Sequence, residues 1–183
     1  MTSEELDRLR YPIGKYEFPD DVSQSVIENW IRTIEELPEK LEKAIRPLDD
    51  DQLDTPYRTD GWTIRQLVHH IADSHMNALL RFKWTLTEDT PTIKAYDQDL
   101  FAKLEDSISA PVEYSLDFLK GLHAKWTFLL KSLNSQDLER KFMHPETGQE
   151  VSLVKLLGMY AWHSEHHYAH IENILKKKKL SEK

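Results

Sequence analysis

The chain has 183 residues, 39% of them hydrophobic and 31% charged, with five glycines and no cysteine. That length suits one domain over residues 1–183, burying roughly 70% of the surface its unfolded form exposes. Without cysteine there is no disulfide framework, thiolate ligand or cysteine nucleophile. The net charge is −8, and lysines are interspersed with Asp and Glu, which speaks against a nucleic-acid partner. No signal peptide and no apolar run of membrane-spanning length is legible, so the cytoplasm is the expected location.

Residues 1–22 carry Tyr11-Pro12-Ile13-Gly14 and Phe18-Pro19-Asp20-Asp21 but no sustained period, and read as an irregular segment draped over the core. From Ser23 to Ile45 the residues Val26, Trp30, Ile34, Leu37, Leu41 and Ile45 recur at helical spacing. Pro38 removes a backbone donor there, which predicts a kink or short break at Leu37-Pro38. Thr63 as N-cap with Gln66 three residues on forms a capping box, and Trp62 with Leu67 a hydrophobic staple, opening a helix that runs to about Leu86. Thr87 to Ala110 is a long connection with short helical pieces, Tyr96 to Lys103 among them. Pro111, suited to a first turn, opens a third helix through Leu116, Leu119, His123, Trp126 and Leu130 to about Leu133. Phe142 to Val151 reads as a hairpin turning at Glu146-Thr147-Gly148. The last helix spans Ser152 to about Lys177, and its closing run Lys176 to Lys179 reads as solvated cations opposing the helix dipole. Four amphipathic helices without a sustained β pattern predict an all-α four-helix bundle.

Four of the nine histidines fall in Ala161-Trp162-His163-Ser164-Glu165-His166-His167-Tyr168-Ala169-His170. His163 and His167 lie four positions apart, so their imidazoles share a helix face and can converge on one metal ion. A single histidine on the stripe of Leu156 and Met159 is an ordinary core residue. Two together would each need donors and acceptors satisfied, which favours a metal. His166 and His170 have the same separation, so spacing alone leaves the pair open. A third ligand can come from the upstream cluster of His69, His70 and His75. Adjacent positions point about 100° apart. The stripe of Leu67 and Ile71 puts His70 at its edge and His69 almost opposite the core, so His70 is the candidate.

Trp62-Thr63-Ile64-Arg65-Gln66-Leu67-Val68-His69-His70-Ile71-Ala72-Asp73-Ser74-His75, together with Trp162-His163-Ser164-Glu165-His166-His167, resembles the YfiT-type branch of the DinB-like superfamily. The likeness extends to Leu9 through Gly14, Pro91 through Asp97 and His144 through Gly148, and so covers nearly the whole chain. It implies a four-helix bundle, a homodimer and a metal-dependent hydrolase. It also implies one divalent metal per subunit held by His70, His163 and His167, and zinc or nickel would suit such imidazoles. Three histidines leave an open position for water or a small-molecule substrate, where the metal acidifies water or polarises a substrate oxygen. The same resemblance keeps open an S-transferase for a low-molecular-weight thiol, and a non-catalytic metal-binding helical module remains a third class. No catalytic residue is assigned. Asp73, at i+3 from His70, either orients a ligand or water or serves a surface cap or ion pair. Glu165 falls on nearly the opposite face from His163, and Tyr96, Tyr160 and Tyr168 either line a pocket or belong to the core.

Overall fold

The apolar stripes close on one another as four long helices. The computed structural model describes residues 2–181, with helices α1 Ser3–Arg10, α2 Gln24–Ile45, α3 Asp50–Leu53, α4 Ile64–Thr87, α5 Gln98–Phe101, α6 Glu105–Ile108, α7 Val112–Ser132, α8 Ser135–Glu139 and α9 Leu153–Ser181. A two-stranded antiparallel hairpin, β1 Lys141–Met143 with β2 Glu150–Ser152, pairs Phe142 with Val151 and precedes α9. Gly148, at φ +64°, supplies the left-handed turn residue between its strands.

Helix α2 packs against α7 and α9, and α4 packs against the same two. The pairs α2/α4 and α7/α9 therefore stand across the diagonals. Diagonal partners cannot be joined by the short loops of an up-down-up-down bundle. The chain from α2 to α4 instead carries α3 and the Pro56–Thr63 bridge, and that from α7 to α9 carries α8 and the hairpin. The core between the helices includes Ile34, Leu37 and Leu41 of α2, Leu67, Ile71 and Phe82 of α4, Leu119 and Trp126 of α7, and Leu157 of α9. Each fully buried aliphatic or aromatic side chain is worth roughly 1.5–3 kcal/mol.

Thr63 and Gln66 form the expected capping box, with Gln66 N donating to Thr63 Oγ1 at 3.1 Å and Thr63 N to Gln66 Oε1 at 3.0 Å. Arg65, buried in the first turn of α4, ties neighbouring segments to it. Its guanidinium donates to Asp54 and Asp50, both at 2.7 Å, and to the Ala110 carbonyl at 3.1 Å. At the other end Arg140 donates to the carbonyls of Thr85 and Glu88, closing the last turn of α4. Pro111 stands at the N-cap of α7, one position before the helix.

The structure departs from these expectations at three places. Residues 3–10 are helical, because Thr2 and Glu5 form a capping box that nucleates α1 without an apolar stripe. Residues 11–22 do lie extended, with Phe18 and Val22 against the core. Of the kink or short break expected at Leu37-Pro38, the break is absent: α2 is continuous through Pro38, which is itself buried. Short helices α3 and α8, each opened by an Asx-capped box at Asp49 and Asn134, were too brief for a periodic signal. Of the terminal lysine run, Lys176 pairs with Glu172 at 2.9 Å, and the side chains of residues 177–179 lie outside those described.

Candidate metal centre

His70 enters the bundle from the second turn of α4, opposite the middle of α9. The i, i+4 spacing puts His163 and His167 on the facing side of α9, with their Nε2 atoms 3.1 Å apart. One ring nitrogen from each of His70, His163 and His167 lies within 4.8 Å of the others. The ring of His70 is 5.4 Å from that of His163 and 4.8 Å from that of His167. Nε2 of His70 is buried and has no hydrogen-bond partner among the described residues. An unpaired buried acceptor costs about 1–3 kcal/mol, and a metal ion is one way to satisfy it.

All three imidazoles are neutral near pH 7. Burial depresses the His70 pKa to about 4, aided by nearby His166, and holds His163 and His167 well below 6.5. Their lone pairs are thus available without first losing a proton. The donor set, three nitrogens and no thiolate, suits zinc or nickel.

The second pair also converges. His166 and His170 bring their Nε2 atoms to 3.3 Å, and with His167 they form another group of nitrogens within 4.8 Å. That group sits wholly on α9, shares His167 with the first, and has no member from another helix. Trp162 covers one side of His166, ring to ring at 4.4 Å, and Tyr57 lies 4.2 Å from His170.

His69 is buried, contrary to the expectation that it faces away from the core. The segments around α6 and the start of α7 cover that side of α4, where its ring bonds Ser115 Oγ at 2.8 Å and the Ala110 carbonyl at 3.2 Å. It takes no part in either histidine group. Asp73 makes no ion pair among the described residues. Its half-buried carboxyl is pushed up to about 6 by desolvation and then by Asp106. Glu165 turns outward to Lys40 at 3.1 Å. Tyr160 is core, donating to the Ser74 carbonyl at 3.1 Å, and Tyr96 and Tyr168 are partly buried away from the cleft lining.

A cleft of about 580 Å³ opens onto the site, bordered by His163, His166, His167 and His170. Its aromatic walls are Tyr11, Tyr57, Trp62 and Trp162, and its charges are Arg10, Arg58, Asp60 and Asp99. Sequence reasoning passed over Tyr11 and Tyr57, which reach the site from irregular segments without a periodic signal. It also placed His123 on an ordinary apolar stripe. Behind His163 lies a file of buried imidazoles: His163 Nδ1 is 3.2 Å from His75 Nε2, and His75 Nδ1 is 2.9 Å from His123 Nε2. His123 Nδ1 ends the file on the Ile34 carbonyl at 2.6 Å.

Residues 33–171 match the family model of the DinB superfamily. Proteins of Bacillus cereus and Bacillus thuringiensis subsp. konkukian, each named "Putative metal-dependent hydrolase", are 51% identical over 172 residues, covering 94% of this chain and 98% of theirs. The structure superposes with a TM-score of 0.91 on YfiT from Bacillus subtilis, described as a probable metal-dependent hydrolase with an unusual four-helix bundle topology. That match is at 46% identity and covers 94% of this chain and 98% of the other. Family model, relatives and superposed fold agree, and the chain belongs to the DinB superfamily as a YfiT-type protein.

Proposed function

We propose that the protein is a metal-dependent hydrolase for a small molecule. One divalent ion per subunit, zinc or nickel, would be held by His70, His163 and His167. The observation that carries this reading is the meeting of three neutral imidazoles from two helices, His70 and His167 buried and His163 partly exposed, at the edge of an open cleft. When bound, the ion would supply Lewis acidity and lower the pKa of a water at a position the protein leaves open. The first histidine group is preferred over His166, His167 and His170 because it draws on two helices. Its member His163 also has an outer hydrogen-bond partner, as metal-binding imidazoles regularly do.

The chain's own contribution is placement and exclusion of water. Trp62 lies 4.7 Å from the His70 ring and shields it, while Tyr57, Trp162 and Tyr11 give a substrate flat apolar contact. Arg10 and Arg58 share the rim with Asp60 and Asp99, so both signs of charge are available to a polar substrate. The family likeness is the support for action as a homodimer. The test is turnover by the purified chain, with and without zinc or nickel, over esters, amides and thiol–acceptor pairs. Metal-dependent hydrolysis is expected. An S-conjugated product would assign a thiol transferase instead, and bound metal without turnover of any substrate class would leave a binding module.

A further inference from the structure

We propose that Pro38, His123 and His75 form a positioning relay that fixes which nitrogen His163 presents to the metal. The file of contacts touches all four long helices. Ile34 lies on α2, His123 on α7, His75 on α4 and His163 on α9, with successive separations of 2.6, 2.9 and 3.2 Å.

The direction of every hydrogen bond is dictated from one end. In an uninterrupted helix the Ile34 carbonyl accepts from the amide of residue 38, four positions on. Residue 38 is proline and has no amide proton. The freed carbonyl accepts from His123, and because it can only accept, His123 must carry its proton on Nδ1. In neutral imidazole the other nitrogen is then an acceptor. His75 therefore donates from Nδ1 to His123 Nε2, and accepts on Nε2. His163 in turn donates from Nδ1 to His75, which leaves its Nε2 as a lone pair 3.1 Å from His167 Nε2. All three rings take the Nδ1–H form, the less populated one for a histidine in water.

The surroundings hold the file in place. His75 and His123 are 0% and 1% exposed. Their rings lie parallel, 4.9 Å apart at 7°, and Trp126 meets both edge-on at 5.7 and 6.0 Å. Tyr160 also meets the His75 ring edge-on, and its hydroxyl is engaged with Ser74. A proline inside a helix thus reaches the candidate metal site through two imidazoles outside the candidate ligand set.

The proposal rests on His163 being a metal ligand, and its test separates the two claims. Long-range ¹H–¹⁵N correlation spectra of the metal-free full chain report the tautomer of each ring directly. His123, His75 and His163 are expected to show protonated Nδ1 and lone-pair Nε2. An Nε2–H form at His163 would overturn the relay even in a protein that binds metal. Conversely, the expected tautomers in a chain that binds no zinc would uphold the relay and defeat the metal reading. His123→Phe should mix the His75 and His163 tautomers and weaken zinc binding about 10- to 100-fold, the range typical of outer-shell losses. His123→Gln, which keeps a donor and an acceptor, should recover part of that affinity. Unchanged tautomers in a folded His123→Phe protein would also overturn it. Should that variant not fold, the wild-type spectrum alone decides.

Discussion

Pro38 and His123 share one carbonyl: the Ile34 oxygen that the proline cannot bond receives His123 Nδ1 at 2.6 Å. Each residue looks costly alone. A proline inside a helix gives up about 3 kcal/mol, and a buried imidazole with an unsatisfied donor about 1–3 kcal/mol. Together they satisfy each other, because the acceptor that the first leaves free is the one the second requires.

A double-mutant cycle should expose that coupling. Pro38→Ala in the wild-type chain adds an amide where the carbonyl is already occupied, so urea denaturation should show a gain well under the ~3 kcal/mol of helix propensity. In a His123→Phe background the same change fills an empty carbonyl, and its benefit should be larger by about 1–3 kcal/mol. Equal effects in the two backgrounds would mean that the residues are independent.

The candidate ligands should behave differently from the other buried histidines. His70→Ala, His163→Ala and His167→Ala should each abolish stoichiometric metal after dialysis. His69→Ala should retain it, since the His69 ring is bonded to Ser115 and Ala110 on the far side of α4. His166→Ala and His170→Ala decide between the overlapping groups: retention supports the His70 set, and loss supports the set confined to α9.

What was legible in the sequence follows from how local each signal is. The capping box at Thr63 and Gln66 and the i, i+4 pair His163 and His167 are fixed by spacing within one helix, and the structure reproduces both. His70 could be ranked above His69 by facing alone, yet the burial of His69 depends on segments some 40 residues away in sequence, near Ala110 and Ser115. The link from Ile34 through His123 and His75 joins four helices, and no single-helix period carries it. Pro38 was read as damage to α2 because its compensating donor lies on α7.

Removing the metal should separate a site built on a core from a core built on a site. The apolar stripes of α2, α4, α7 and α9 meet independently of the histidines. A chelator should therefore leave most of the helical circular dichroism intact at room temperature while abolishing turnover and lowering the thermal midpoint. Cooperative loss of helix on chelation would assign the ion a structural role instead.

Acid should destabilise the metal-free protein in a defined window. Burial holds eight of the nine histidines below 6.5, with His123 and His166 at about 4 and His170 at about 3. Between pH 6.5 and the folded-state values the unfolded chain binds more protons, so stability is full above 6.5 and falls with pH below it. Each such proton contributes a slope of ~1.4 kcal/mol per pH unit. Asp73, raised to about 6, acts in the opposite sense, since the folded form binds its proton first, but it is one group against eight. Urea midpoints of the metal-free chain should drop clearly between pH 7 and pH 5. A flat profile would show that these imidazoles are not buried in neutral form.

The two helical glycines of α7 and α9 should respond in opposite directions to the same substitution. At Gly121 an added methyl meets nothing within 4 Å, so Gly121→Ala gains helix propensity and reduces unfolded-state freedom, stabilising by roughly 0.5–1 kcal/mol. At Gly158 the methyl would come within 2.7 Å of the Tyr16 hydroxyl and 2.9 Å of the Trp30 ring. There α9 runs against α2 and the extended N-terminal segment, and Tyr16 Oη donates to the Lys155 carbonyl at 3.4 Å. Gly158→Ala must displace the indole or the segment it holds, and overpacking of this kind costs about 1–3 kcal/mol, more than the propensity gain. Thermal denaturation of the two single variants should show the first melting above the parent and the second below it. A stabilised Gly158→Ala protein would mean that Tyr16 and Trp30 yield freely, and that residues 11–22 are not held against α9 as described.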